Sequence, residues 1–435
     1  MKKRRIVLRV FPFNRLTFPL LLNVWERHGL DRRFEIRVSD GLANARRPRA
    51  RPDDVWIYSF MTPHLPVLAR EIAALRALGP ERPLLAAGGP HVSGDQQLPL
   101  RLGFDRLFVG PGEGMFRRFG EELANEEPAT LPKEPSIMVD GESAGRSRPR
   151  LGDAPSCRAH VLKWTSYLPI SEYFKTMPPL EVMRGCHHAC RYCQTGRSVS
   201  AKPLFRDSTS IASYVAELKR RGYRRAGFIS PSALEFGAVR PGKINLEAVA
   251  GLLSVPAAAG LRFIEYGIFP SEIRPETISD PALEMLGSLV SHRQLTVGAQ
   301  SGLDERLAEI GRGHRRRDIE QAAAIAAGRG FRVNLDFIFA FPGETADERR
   351  ATIDFIRTLR RRYRISAHLH HFFPLAGSDY QWRRPSFLND AERSELLRLH
   401  RDGIASDWWL DGEKRVKAYF RWLKSFDPEY FSRYW

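Results

Sequence analysis

Cysteine is scarce in this sequence, 4 in 435 residues, and three of the four fall between positions 186 and 193. So few and so lopsided a set cannot build a disulfide framework; in a reducing compartment crowded cysteines serve as metal ligands or redox groups. No uninterrupted run of about 18 apolar residues occurs, so no membrane span is expected. The opening Met1-Lys-Lys-Arg-Arg leads into an apolar run that Arg9 breaks, which reads as a strand and not as a secretory leader. The expected location is the cytoplasm. Acidic residues are the minority, 50 against 68 Lys and Arg, for a net charge of +18. That surplus admits nucleic acid, anionic cofactors or acidic substrates as partners. It is scattered in short runs such as Arg315-Arg316-Arg317 and Arg360-Arg361-Arg362, as on a solvated basic surface. No zinc-finger, RNP or KH signature accompanies it, and no short-period repeat is present.

What is there is apolar content of 43%, enough for two or three cores at this length. Residues 5–124 alternate strand-like runs (6–10, 34–38, 55–59, 84–87, 106–109) with helical stretches, which predicts a doubly wound parallel sheet over a domain 1–125. Ligands of such sheets sit at the carboxyl ends of the strands. The turns there are Ser59-Phe-Met-Thr62, Gly88-Gly89-Pro90-His91 and Gly110-Pro-Gly-Glu113-Gly, whose glycines permit close approach. Residues 126–179 show little periodicity and read as a linker. A second βα series over 180–380, with strands expected at 180–184, 225–229, 262–266, 294–298, 331–339 and 367–373, suits a partial or complete barrel with its chemistry at the strand C-termini. Residues 381–435 read as a helical, aromatic-rich tail whose rings pack on that barrel.

The cysteines lie in Arg184-Gly-Cys186-His-His-Ala-Cys190-Arg-Tyr192-Cys193-Gln-Thr-Gly196. Structural zinc takes four ligands, usually two separated pairs; His187 and His188 are too close to close a tetrahedron, and no second Cys-x2-Cys exists. A [4Fe–4S] cluster normally takes four cysteines. Three in one loop at the exit of a first barrel strand leave one iron open, and open sites mark catalysis more than structure. The isolated Cys157 reads as a small buried hydrophobe.

Cys186-x3-Cys190-x2-Cys193 resembles the cluster motif of the radical S-adenosylmethionine (SAM) superfamily. The resemblance implies an α/β fold in which a Rossmann-like domain precedes a partial (β/α)6 radical SAM barrel and a helical tail. It implies that the open iron takes the amino and carboxylate groups of SAM, and that one electron from an external donor such as flavodoxin or ferredoxin cleaves SAM to a 5′-deoxyadenosyl radical. On the same footing Tyr192 is expected near the adenine and Ser230 at a turn for the methionyl amine, although Ser230-Pro-Ser232 departs from the family's Gly-Gly-Glu. Glu265, Gln300, Ser301 and Asp336 are expected around the ribose and methionyl groups.

Asp54-Val-Trp-Ile-Tyr-Ser59, Gly88-Gly-Pro-His91 and Val109-Gly-Pro-Gly-Glu113-Gly resemble the cobalamin-binding domain of one subfamily, which implies cobalamin contacts from Ser59, Thr62, Gly88, Gly89, His91, Gly110 and Glu113. The Asp-x-His-x-x-Gly loop that gives cobalt a histidine in other cobalamin proteins is missing here. The implied function is a cobalamin-dependent methyltransferase acting on an unactivated carbon of a small-molecule or peptide substrate, with His368, His370 and His371 candidates for the substrate space. Rival readings are a radical SAM cyclase or rearrangement enzyme without methyl transfer, a non-catalytic iron–sulfur protein, and an RNA-modifying enzyme or RNA-binding module, which the lack of an RNA-binding motif disfavours.

Overall fold

A computed structural model describes residues 3–40, 50–125, 136–139, 161–175, 178–198 and 201–434; Cys157 lies outside them. The chain divides into two compact units, Met1–Pro178 with Leu375–Ser378, and Pro179–Pro374 with Asp379–Trp435.

The first unit is a six-stranded parallel sheet of β1 (Arg5–Val10), β2 (Glu35–Asp40), β3 (Val55–Ser59), β4 (Leu84–Gly88), β5 (Arg106–Val109) and β6 (Ser136–Val139), ordered β2-β1-β3-β4-β5-β6. β6 arises inside the stretch expected to be linker; at four residues, Ser-Ile-Met-Val, it is too short for periodicity to reveal and is recruited by pairing with β5. Strand direction of growth reverses between β1 and β3, which puts a crevice at their carboxyl ends. The core shows why this unit folds: Ile6, Leu8, Ile57 and Ala86 of the strands meet Phe18, Leu22 and Trp25 of helix Thr17–Arg27 and Met115 and Phe119 of helix Gly112–Asn125. The Trp25 indole N–H is kept satisfied by the Phe116 carbonyl at 2.7 Å.

The second unit runs through β7 (Leu180–Glu181), β8 (Met183–Arg184), β9 (Leu204–Phe205), β10 (Arg225–Ile229), β11 (Phe263–Glu265), β12 (Gln294–Gln300), β13 (Arg332–Phe339) and β14 (Ile365–His371). Parallel β11-β10-β7 and parallel β12-β13-β14 are joined by single bridges at Ser230–Ser271 and Ile273–Val297, giving an open six-strand wall, while β8 and β9 form a small antiparallel pair. Helices cross over between the strands. Asp207 caps Ser208–Arg220 and a Thr345/Glu348 capping box starts Ala346–Arg362. The arginine triplet 360–362 closes that last helix, where positive charge suits the C-terminal dipole. Arg360 also caps the Ile365 carbonyl at 2.7 Å.

The tail packs on β14. Trp409, Val416, Tyr419 and Leu423 of helix Trp408–Phe426 are buried on one helical stripe. A Cβ on Gly412 would stand 3.0 Å from His371 Cβ, so glycine sets how near this helix comes. Among the described residues no helix is long and apolar enough to cross a membrane.

Candidate functional site

Two clusters of expected residues form, one in each unit. In the second, Gly185 turns the chain out of β8 with φ +84° into the cysteine loop. The loop closes on itself through Cys193 N–H to the Cys190 carbonyl at 3.1 Å and is anchored by Arg191 N–H to the Ile310 carbonyl at 3.0 Å. Gly196 is required at its end, because a Cβ there would lie 2.6 Å from the His188 carbonyl oxygen. Cys190 is buried and Cys186 and Cys193 half-buried, all three as free thiols. No group of three or more His, Cys, Asp or Glu among the described residues is gathered tightly enough for one metal ion.

The loop's two histidines act outward. His188 Nε2 lies 2.9 Å from both oxygens of Glu235, which is fully buried and also accepts from Gly242 N–H at 2.5 Å. Burial opposes ionisation of Glu235, but the hydrogen bond and charge of His188, the nearby Ser232 hydroxyl and the Gly242 amide hold it below the usual carboxylate range. His187 Nε2 meets the Ala238 carbonyl at 3.1 Å. Thus the loop is pinned to residues 235–242, which follow β10.

Two guanidinium groups face Cys190. Arg312 Nη1 is 3.6 Å and Arg274 Nη1 is 3.8 Å from its sulfur. Burial disfavours the Cys190 thiolate, yet the charges and hydrogen bonds of Arg312 and Arg274 carry it below the ordinary thiol range, while burial pushes Cys186 up to about 11. The composition hid both arginines, since in an arginine-rich chain neither stands out; only the fold brings residues 84 and 122 positions away to one sulfur.

Other expected residues gather nearby with different roles. The Tyr192 ring sits 5.6 Å from that of Phe341. Gln300, at φ +70° where β12 slips register against β13, is buried with its Oε1 unpartnered, and Ser301 beside it is buried. Ser230 is buried with its hydroxyl 3.3 Å from Met183 sulfur. Asp336 Oδ1 lies 2.9 Å from His368 Nδ1, and the His368 ring lies 4.5 Å from that of Trp408. His370 also faces Trp408, whereas His371 is buried with Nδ1 against the Phe372 carbonyl.

Glu265 is not brought to this group. It pairs in register with Gly227, and its carboxylate lies 3.6 Å from exposed Arg225. β11 stops three residues in, and the chain re-enters the wall at 271–273. Glu272 there is the carboxylate that sequence reading missed: burial, then the Asp336 charge, raise it to about 7 against Arg312 and His368. Its signal was slight, a single Glu in a Pro-flanked loop.

In the first unit the crevice is tied by Asn14, whose Nδ2 donates to the carbonyls of Arg9 and Ser59, joining β1 to β3 at their carboxyl ends. His91 is fully buried, with Nδ1 3.0 Å from Thr62 Oγ1; that hydroxyl accepts in turn from Ala376 N–H at 3.2 Å. Burial lowers His91 to about 4. Gly89, φ +96°, packs so closely that a Cβ would lie 2.8 Å from Phe60 N. Gly88 and Gly110 remain half-open at the strand ends, Gly110 N–H donating to Ser93 Oγ at 3.1 Å, and Glu113 is buried in the first turn of its helix. The turns thus offer backbone to a ligand, but no imidazole.

Residues 180–356 match the family model of the radical SAM superfamily. Among curated proteins the chain is 30% identical over 183 residues to tRNA-2-methylthio-N(6)-dimethylallyladenosine synthase of Geobacter sulfurreducens, covering 41% of this chain and 39% of that protein. The chain spans less than half the length of this relative and of the Pelobacter propionicus protein of the same name, 39% and 46%. Among solved structures it is similar to the radical S-adenosylmethionine methyltransferase TsrM of Kitasatospora setae with cobalamin and [4Fe–4S] cluster bound (TM-score 0.58, 15% identity, 87% of this chain and 74% of that one). It is also similar to the cobalamin-dependent S-adenosylmethionine radical enzyme OxsB with aqua-cobalamin and S-adenosylmethionine bound (TM-score 0.53, 10% identity, 93% and 62%).

Proposed function

We propose that the chain, whose residues 180–356 match the radical SAM family model, is a radical SAM enzyme working with a [4Fe–4S] cluster and SAM, and that it is a cobalamin-dependent methyltransferase acting on an unactivated carbon. The observation that carries this reading is the pairing, in one chain, of a three-cysteine loop near the start of an open barrel with a doubly wound unit that presents glycine backbone at the carboxyl ends of β4 and β5. The architecture shared with TsrM and OxsB supports it.

When bound, the cluster supplies the electron that cleaves SAM to methionine and a 5′-deoxyadenosyl radical, and a corrinoid supplies a carrier for the methyl group. Cys186, Cys190 and Cys193 would hold three irons of such a cluster, leaving the fourth open to SAM. Tyr192, Ser230, Gln300 and Ser301 would contact SAM there, where the buried, unpartnered Gln300 Oε1 would accept a hydrogen bond. Asp336 orients His368 at the inner wall, where Trp408 and His370 border space for the substrate, a small molecule or a peptide. In the first unit the backbone of Ser59, Gly88 and Gly110 would receive the corrinoid, with His91 buried beneath the turn. The setting is cytoplasmic, with an external low-potential donor such as flavodoxin or ferredoxin.

The names of the curated relatives favour a second reading, methylthio transfer to tRNA, which the basic charge suits. Against it, inserting sulfur calls for a sulfur source beyond SAM. Only Cys157 stands outside the loop in this sequence, too few thiolates for a second cluster.

The test is anaerobic reconstitution with SAM, dithionite and hydroxocobalamin, following 5′-deoxyadenosine by chromatography and bound corrinoid by its visible spectrum. Both signals are expected. Deoxyadenosine without retained corrinoid removes the methyltransferase reading and leaves radical chemistry alone.

A further inference from the structure

We propose that Arg274 and Arg312 form a cationic seat for the Cys190 corner of the cluster, which favours the reduced state and so eases the electron's arrival. This rests on the cluster reading above.

A guanidinium taken out of water ordinarily needs a carboxylate beside it. Arg274, 3% exposed, has one: its Nε lies 2.6 Å from Glu276 Oε1. Arg312, 8% exposed, has none among the described residues. Its Nη2 donates to the Gly298 carbonyl at 2.8 Å, its Nε meets no acceptor, and its remaining contact is Cys190 sulfur. The arrangement is built, not incidental. A Cβ at Gly298 would stand 2.5 Å from Arg312 Nη2, and Arg274 Nη2 is bonded to the backbone carbonyl of Arg312, so each arginine holds the other in place. Among the described residues Cys193 sulfur meets the Thr195 hydroxyl at 3.5 Å and neither it nor Cys186 has a guanidinium contact, so the seat serves the Cys190 corner.

Only one carboxylate, Glu276, is in ion-pair contact with the two cations, and Glu272 acts on Arg312 only at longer range, so positive charge is left beside a thiol that, when neutral, does not balance it. Three thiolates on a [4Fe–4S]2+ core do, with a formal charge of −1 that becomes −2 on reduction. The step is [4Fe–4S]2+ plus one electron from a low-potential donor, dithionite in the assay, giving [4Fe–4S]+ with no proton moved. Because the added charge arrives beside fixed cations in a medium of low dielectric, the seat stabilises the product more than the reactant.

The experiment compares wild type with R274Q, R312Q, R274K and R312K, each reconstituted anaerobically. Iron and sulfide per chain are measured, and the cluster is titrated by electron paramagnetic resonance without SAM. Each Gln variant is expected to keep its cluster and to show a reduced-to-oxidised ratio about tenfold lower at fixed potential, a shift of about 59 mV for one electron. The Lys variants should stay near wild type. Loss of iron in the Gln variants alone, with Lys retaining it, also supports the seat. Unchanged potentials in both Gln variants, Lys variants that shift as far as Gln, or iron lost from Gln and Lys alike would overturn it. If wild type itself takes up no iron, the cluster reading falls instead.

Discussion

Arg9 and Arg312 are both buried guanidinium groups, 1% and 8% exposed, and their surroundings are opposite. In the first unit Arg9 is gripped by Glu71 through two bonds, Nε to Oε1 at 2.5 Å and Nη2 to Oε2 at 2.8 Å, and a third bond reaches the Ser39 carbonyl at 3.0 Å. Tyr58 completes the carboxylate at 2.9 Å. In the second unit Arg312 has a carbonyl, a sulfur and an unpartnered Nε. A charge compensated inside its own fold is architecture. One that lacks its counter-ion marks where an anionic group belongs.

The largest effect expected is at the sulfur end of this contrast. Cys186→Ala, Cys190→Ala or Cys193→Ala should lose the brown cluster absorbance and bring deoxyadenosine formation to the level without protein, and unchanged cleavage in any one variant would end the cluster assignment. Glu71→Ala should do the reverse. It strands a buried cation and costs about 3–5 kcal/mol in denaturant unfolding, yet leaves the reduction potential of a reconstituted cluster where it was.

Titration separates the units again. Burial holds His91 down to about 4 from 6.5 and Glu344 up to about 7 from 4.5, the latter against Arg349. Below pH 6.5 the unfolded chain takes up a proton at His91 that the folded chain refuses until about 4, so stability falls as pH drops through that window. Glu344 works the other way: folded, it keeps a proton that the unfolded chain releases above 4.5, so stability falls as pH rises toward 7. His91→Gln should flatten the acid limb of a stability–pH curve and Glu344→Gln the neutral limb, each by on the order of 3 kcal/mol. If the chain takes up a corrinoid as proposed, its spectrum is expected to be retained in His91→Gln, because the imidazole is fully buried.

The smallest effect lies at the loop's anchor. His188→Ala removes the partner of buried Glu235 and should lower unfolding stability by about 1.5–3 kcal/mol. His188→Asn, able to donate one hydrogen bond, should recover part of it. Equal losses in both variants would mean that packing, not the carboxylate contact, accounts for the cost.

The cysteine motif was legible because chemistry confined to eight consecutive residues survives as spacing. The strands were legible where apolar runs of five or more stood between turn residues, as at Val55–Ser59 and Arg332–Phe339. β6 was hidden because four residues carry no period, and Glu272 because its neighbours in the wall are single bridges and not a strand. Glu265, expected at a strand end, is the last residue of β11.

By itself, then, the amino-acid order determined the class of fold and the three thiols, since local patterning and close spacing need no long-range information. Which arginines of an arginine-rich chain face Cys190, which histidine is sealed in a core and which carboxylate enters the barrel wall were decided only by the tertiary structure. Those identities depend on burial and on partners far apart in the chain, and neither is written in any local stretch of sequence.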